Sequence, residues 1–108
     1  MDVLKVLGQL DAAATTIETL YTVPDLAQTT TSSLIVCNRT GSPITFRISI
    51  HVAGAGADNK QFLYYDTSLG ANATMTAVLG LTLAEKDVVK TYASATGLSI
   101  NLFGVETS

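Results

Sequence analysis

The stretch Ile44-Thr-Phe-Arg-Ile-Ser-Ile-His-Val-Ala53, between Pro43 and Gly54, decides the fold. Its apolar residues alternate with polar ones without interruption. Only a β-strand with one buried and one exposed face produces this two-residue period. The pattern predicts a strand with one apolar side that faces the core: Ile44, Phe46, Ile48, Ile50 and Val52. The opposite side is predicted to face water or a partner: Thr45, Arg47, Ser49 and His51.

The rest of the chain has the same texture, with about eight strand candidates separated by turn signals at roughly ten-residue intervals. They are predicted over residues 3–10, 16–23, 33–38, 44–53, 61–66, 74–79, 88–94 and 98–103. The polar residues 28–31 are interpreted as a connection that leads into the third strand. One segment, residues 82–91, competes as a helix because Thr82 and Glu85 have capping-box spacing. Val88 and Val89 come soon after Glu85 and limit any helix here to a single turn.

Length and composition favour one all-β domain over residues 1–108. A chain of this size buries enough surface for one core and does not need to divide. We expect an antiparallel β-sandwich that is jelly-roll-like. Only 14% of the residues are charged, which is typical of a protein that hides much of its surface in an assembly. Six scattered basic residues and a net charge of −3 give no groove for nucleic acid.

Cysteine usage and the N-terminal residues indicate a chain that is made and folded in a cytoplasm. Cys37 is the only cysteine, so no internal disulfide is expected. The first residues carry an acid at Asp2 and a break at Lys5 and Gly8, unlike a secretory signal. No window approaches the ~18 apolar residues of a membrane-spanning helix.

Few residues offer chemistry, so we expect no enzyme, no metal and no cofactor. His51 is the only histidine and is predicted to be exposed, since a metal site needs three or four converging ligands. Cys37 is predicted to be a small buried strand residue rather than a nucleophile. Residues 54–56 read Gly-Ala-Gly and are interpreted as a flexible hairpin loop. The aspartates at turns and strand ends are predicted to bind backbone donors: Asp25, Asp58, Asp66 and Asp87.

A partner-binding surface is predicted around the aromatic strand. Tyr64 and Tyr65 are adjacent, so a regular strand points one ring to each face and leaves one outside. An exposed tyrosine beside Lys60 is a reasonable interface anchor, although a solvated sheet face explains the same pattern. Arg47, on the polar side of the alternating strand, is the fourth candidate contact.

Five blocks of sequence carry a resemblance that spans nearly the whole chain. They are LYTVP (20–24), SLIVCNR (33–39), NKQFLYYD (59–66), LGLTLAEKDVV (79–89) and LSINLFG (98–104). In these blocks the chain resembles small virion structural proteins of tailed bacteriophages, including those that infect cyanobacteria. The resemblance implies a β-sandwich without catalytic residues that serves as a capsid decoration (cement) protein or as a small tail or fibre component.

From the resemblance we expect a cement protein on the capsid surface, bound to the major capsid protein or another virion protein. A homo-oligomer is expected, with a trimer preferred because shell lattices offer three-fold sites, and a dimer close behind. A small tail, baseplate or fibre adaptor is the alternative. A host-glycan-binding module is a further alternative, which the absence of tryptophan disfavours.

Overall fold

Alternating segments along the chain pair into two antiparallel sheets. The computed structural model describes all residues, 1–108. The strands are β1 (Asp2–Asp11), β2 (Glu18–Thr22), β3 (Gln28–Asn38), β4 (Ile44–His51), β5 (Phe62–Leu69), β6 (Thr74–Ala77), β7 (Thr82–Leu83), β8 (Val88–Ala93) and β9 (Leu98–Thr107). Two single-turn 3-10 segments, Val52–Gly54 and Asn59–Gln61, lie between β4 and β5.

The strand order is that of a jelly roll. The first sheet runs β1-β9-β3-β6, with β7 also paired to β3, and the second runs β2-β8-β4-β5. If β6 and β7 count as one interrupted strand, each sheet has four strands. Strands early in the chain then pair with strands late in the chain, so that the antiparallel pairs β1–β9, β2–β8 and β4–β5 are nested one inside the next. Two such sheets with Greek-key connections define the jelly roll. The expected all-β, jelly-roll-like sandwich is confirmed.

The core lies between the two sheets, because each strand turns its apolar side inward. A single cluster of 18 buried hydrophobic residues fills it. The largest of its fully buried side chains are Phe46, Leu34, Ile48, Leu98, Ile100 and Leu102. Tyr21 from β2 also points inward, and its hydroxyl contacts Thr29 of β3 at 2.7 Å, so this phenol joins the two sheets.

Two sequence predictions about the elements were wrong, and the competing helix over residues 82–91 does not form. The Thr-rich residues 28–31 belong to β3, where Thr29 and Thr31 turn inward and are 2% exposed. Residues 82–91 form no helix, because β7 pairs with β3 and a turn then leads to β8. The predicted strand 74–79 ends at Ala77. In each case cross-strand pairing decides the conformation more strongly than local preference.

The alternation in β4 holds for its first half and fails in its second. Ile44, Phe46 and Ile48 are at most 2% exposed, as the pattern predicts. Val52, predicted to face the core, is 67% exposed because β4 ends before it. Ser49 and His51 project from the outer face but are buried, since residues 52–61 fold back over them. The prediction that these two face water or a partner was wrong, because they are covered by a loop of their own chain.

Gly8 permits the closest approach between β1 and β2. A Cβ atom at this position would overlap the carbonyl oxygen of Leu20. A register shift at Leu7 marks a β-bulge that bends the strand at this point. β1 is therefore packed against β2 at Gly8, beside the buried Leu7, whereas residues 2–6 are exposed.

Candidate functional site

Arg47 lies at the centre of an aromatic and ionic cluster on the outer face of the second sheet. Its cross-strand neighbour is Tyr92 of β8. The guanidinium carbon lies 4.3 Å from the ring centroid of Tyr65 and 4.5 Å from that of Tyr92, within the range of cation–π attraction. Its Nε and Nη2 atoms donate to the two carboxylate oxygens of Asp66 at 2.6 and 3.2 Å. We call these four residues the Arg47 cluster.

An irregularity in β5 brings this cluster together. Between its pairings with Phe46 and Ile48 of β4, β5 contains one extra residue, and Asp66 has a φ of 48°. Neighbouring residues of a regular strand point to opposite faces. At the bulge, Tyr65 and Asp66 both reach the same guanidinium. The bulge therefore supplies both the ring and the counterion.

An ion pair joins two members of the Arg47 cluster. The hydrogen bonds from Arg47 lower the pKa of the Asp66 carboxyl, and the same bonds raise the pKa of Arg47. The two side chains remain 28% and 45% exposed, so water screens the pair and it adds little to stability. The pair places the Arg47 guanidinium against both tyrosine rings.

The four predicted contact residues occupy different places. Tyr65 is 58% exposed and meets the ring of Phe62 edge-on at 4.9 Å. Tyr64 points the other way, with its ring centroid 5.9 Å from that of Phe46. The expected split of the two tyrosines between faces is confirmed. Arg47 joins Tyr65, whereas Lys60 is exposed on the second 3-10 segment and is not part of the Arg47 cluster.

Ser49 and His51 form a hydrogen-bonded pair beneath the loop of residues 52–61. The Nδ1 atom of His51 lies 2.8 Å from the carbonyl oxygen of Ala55, so the network assigns the proton to Nδ1. Its Nε2 atom then accepts from the Ser49 hydroxyl at 2.8 Å. A nucleophile and base are paired in this way in some hydrolases, but here the two residues are 7% and 4% exposed.

A cavity of about 40 Å³ adjoins this pair. It is lined by Arg47, Tyr92 and Phe62 as well as by Ser49 and His51. A space of this size holds no more than a few water molecules. The hydrogen bonds of the pair link the loop to the sheet.

Acidic side chains also fix this region to the backbone. Asp87 is 7% exposed and accepts from the amides of Ala53 and Ala84, both at 2.9 Å. Asp58 accepts from the amide of Lys60 at 3.3 Å within a capping box. The prediction that turn aspartates bind backbone donors is confirmed for these two. Asp66 differs because its carboxylate binds Arg47.

The outer face of the first sheet carries an apolar patch that sequence reasoning missed. Leu4 and Val6 of β1 lie directly opposite Val105 and Phe103 of β9, and cross-strand partners share a face. Leu4 is 83% exposed and Val6 is 45% exposed. We call these four residues the Leu4 patch. Cys37 of β3 lies farther along the same face, opposite Ser99, and is half-buried rather than part of the core.

A signal for the Leu4 patch exists in the sequence. Residues 3–7 read Val-Leu-Lys-Val-Leu, so apolar residues occupy both faces of the strand. A strand with one buried face needs apolar side chains only at every second residue. The additional apolar side chains on the other face must be exposed or covered by a partner. This surplus, rather than alternation, marks β1 as different from β4.

No family model matches this chain, and a search of curated proteins finds no relative. Its histidine, cysteine and acidic side chains form no group that could hold a metal ion. The only helical segments are the two 3-10 turns, so no helix has the length to span a membrane.

Proposed function

We propose that this chain is a non-enzymatic virion protein of a tailed bacteriophage, a decoration (cement) protein on the outer surface of the capsid. The resemblance of its sequence blocks to small virion proteins supports the location. The Arg47 cluster supports the binding role and is the observation that carries the proposal, because it presents aromatic rings packed against one guanidinium on an outer sheet face. The protein is made in the host cytoplasm and then joins the virion.

The proposed contact with the major capsid protein uses the outer face of the second sheet. Tyr65 is the central anchor, since aromatic residues with fixed geometry lose little entropy when they bind. Arg47 positions the ring, Tyr64 supports the strand from the core side, and Lys60 contributes a charge at the rim. Rim charges affect the rate of association more than its strength.

Mass action supplies the proposed mechanism. A protein that binds only the assembled lattice stabilises that lattice by its binding free energy, without any reaction. Shell assembly itself does not require the protein. Shells that lack it are expected to assemble and to rupture at a lower temperature.

The number of copies per particle tests this proposal against the tail, baseplate or fibre adaptor. A cement protein covers repeated sites of the lattice, so hundreds of copies per purified virion are expected by quantitative mass spectrometry. The major capsid protein in the same sample serves as the internal standard. A handful of copies would move the assignment to the adaptor.

A glycan-binding role has one observation in its favour, the exposed Tyr65 ring near the half-buried ring of Tyr92. The guanidinium of Arg47, however, covers one face of each ring. Aromatic platforms for sugars use a free ring face. The protein–protein role therefore explains the cluster better.

A further inference from the structure

We propose that two copies of this chain pair through residues 2–6 of β1, antiparallel, about a two-fold axis that passes beside Leu4. The inference concerns the isolated protein and does not rest on the proposed function. It turns the expectation of a homo-oligomer into a defined dimer with a stated register.

The backbone of β1 provides the first argument. β1 pairs with β9 on one side only and is the terminal strand of its sheet. Its free side presents unpaired N–H and C=O groups, which are a template for another extended strand. The other edges are less suited to pairing: β6 and β7 have four and two residues, β2 has five with a register shift, and β5 has two shifts.

The bulge at Leu7 fixes the register. β1 is regular from Asp2 to Val6 and shifts at Leu7, and the midpoint of this regular segment is Leu4. A two-fold axis normal to a sheet relates each residue to one on the same face of the partner. With Leu4 opposite Leu4 of the second copy, Asp2 lies opposite Val6. An axis at Lys5 would instead place two lysines directly opposite each other, which is unfavourable.

Charge favours the antiparallel direction for a pair of copies. Residues 2–6 carry one acid, Asp2, and one base, Lys5, which point to opposite faces of the strand. Each is bonded within its own chain, to Thr107 and to Glu106 respectively. In the Leu4 register, Asp2 lies opposite Val6 and Lys5 lies opposite Val3, so no like charges face each other. Parallel pairing in register would place Asp2 beside Asp2 and Lys5 beside Lys5. A second copy therefore fits this edge in the antiparallel direction without opposing like charges.

Side chains add apolar contact to the backbone pairing. Leu4 meets its counterpart on the outer face, and the two Leu4 patches become continuous across the axis. A pair of five-residue segments buries less than the ~1,200 Å² at the lower end of standard interfaces. We therefore expect a weak dimer with a Kd on the order of micromolar.

Disulfide trapping tests the register. Directly opposed residues of antiparallel strands are ~4.5–5.5 Å apart at Cα, which a disulfide spans. In a Cys37→Ser background, Leu4→Cys is expected to give a cross-linked dimer on mild oxidation of the full chain. Val78→Cys is the matched control, because Val78 is 83% exposed, like Leu4, and follows β6 at the opposite edge of the sheet. Equal cross-linking of both variants would overturn the proposal.

Sedimentation equilibrium tests the interface without a cysteine. Leu4→Lys places two like charges at the axis, so we expect the Kd of the dimer to rise at least 10-fold, whereas Val78→Lys should leave the Kd unchanged. Circular dichroism confirms that both variants fold, and Val6→Lys gives a second test at the same edge. A wild-type protein that stays monomeric at high concentration, forms a trimer, or dimerises equally well with Leu4→Lys would contradict the β1 dimer.

Discussion

Two edge strands, β1 of the first sheet and β5 of the second, differ in how their free backbone edges are protected. β5 is interrupted by two register shifts. Asp66 at one of them has a left-handed backbone conformation, and its carboxylate binds Arg47. Residues 2–6 of β1 have no such device, and Leu4 and Val6 lie exposed beside a free backbone edge. Bulges and charges protect edges from pairing, so β5 is closed to a further strand and β1 is open to one.

The contrast extends to the ion pairs that support each strand. Arg47 and Asp66 pair at the surface between two tyrosine rings. Lys5 of β1 instead pairs with Glu106 at 3.3 Å, and Glu106 also accepts from the buried Tyr21 hydroxyl at 2.5 Å. The β1 pair is thus connected to the core, whereas the β5 pair organises a surface. We infer that the two edges meet different partners: a second copy at β1 and the shell at the Arg47 cluster.

Phe46→Ala should have the largest effect, because Phe46 is fully buried beneath the Arg47 cluster. Loss of a core phenylalanine lowers the free energy of unfolding by ~3–5 kcal/mol. Arg47→Ala, the next residue on the outer face, should lower it far less. Urea denaturation of the two variants measures the difference. Similar losses would mean that the surface cluster, and not the core beneath it, holds this region together.

Gly8→Ala and Leu4→Ala together test whether β1 is packed at Gly8 and free of core contacts at residues 2–6. The added methyl group overlaps the Leu20 carbonyl, and overpacking of this kind destabilises by ~1–3 kcal/mol. Leu4→Ala, in the exposed half, should stay within ~0.5 kcal/mol in the monomer. Thermal unfolding at low protein concentration measures both changes. A larger loss from Leu4→Ala would show that Leu4 belongs to the core of the isolated chain.

Tyr21→Phe probes the connection between β1 and the core. It removes the hydroxyl that bonds to Thr29 and donates to Glu106, and the loss of such bonds costs ~1–3 kcal/mol. Chemical denaturation at neutral pH measures this loss. The pH dependence of stability gives a second and more specific readout.

Burial raises the pKa of Tyr21 from 10.0 to about 12, with a further contribution from its hydrogen bond to Glu106. Because the folded state favours the neutral phenol, this stabilisation is complete below pH ~10 and is lost as the pH rises towards ~12. The hydrogen bond from Tyr21 lowers the pKa of Glu106, so its stabilisation is lost as the pH falls. Tyr21→Phe should flatten both limbs. Parallel curves for the two proteins would refute the coupling.

Thr91→Val should have a small effect of the opposite sign. The Thr91 hydroxyl of β8 is buried and has no hydrogen-bond partner. Replacing it with a methyl group of similar size removes an unsatisfied polar atom. We expect a gain of ~1 kcal/mol in the free energy of unfolding. A loss in the denaturation midpoint would indicate that the hydroxyl has a partner.

The fold was predictable because two-residue alternation reports directly which face is buried. Ile44, Phe46 and Ile48 lie inside as their spacing requires. The same rule failed at Ser49 and His51, since it reports the face of a strand and not what folds over that face. Pairing between distant segments, such as β7 with β3, leaves no local pattern either.

The candidate site was predictable only in part. Adjacent tyrosines on a strand place one ring outside, which identified Tyr65. Asp66 belongs to the Arg47 cluster because of a bulge in β5, and no residue type in β5 predicts that bulge. The Leu4 patch was missed because an apolar surplus in a strand looks like additional core until the neighbouring strands are known.

The rupture temperature of shells tests the central claim most directly. Purified shells that lack the protein are heated with and without a saturating amount of the full chain, and rupture is followed by light scattering. Binding to the assembled lattice alone predicts a higher rupture temperature, with a smaller increase for the double variant Arg47→Glu, Tyr65→Ala. An unchanged rupture temperature with the wild-type chain at saturation would contradict the account.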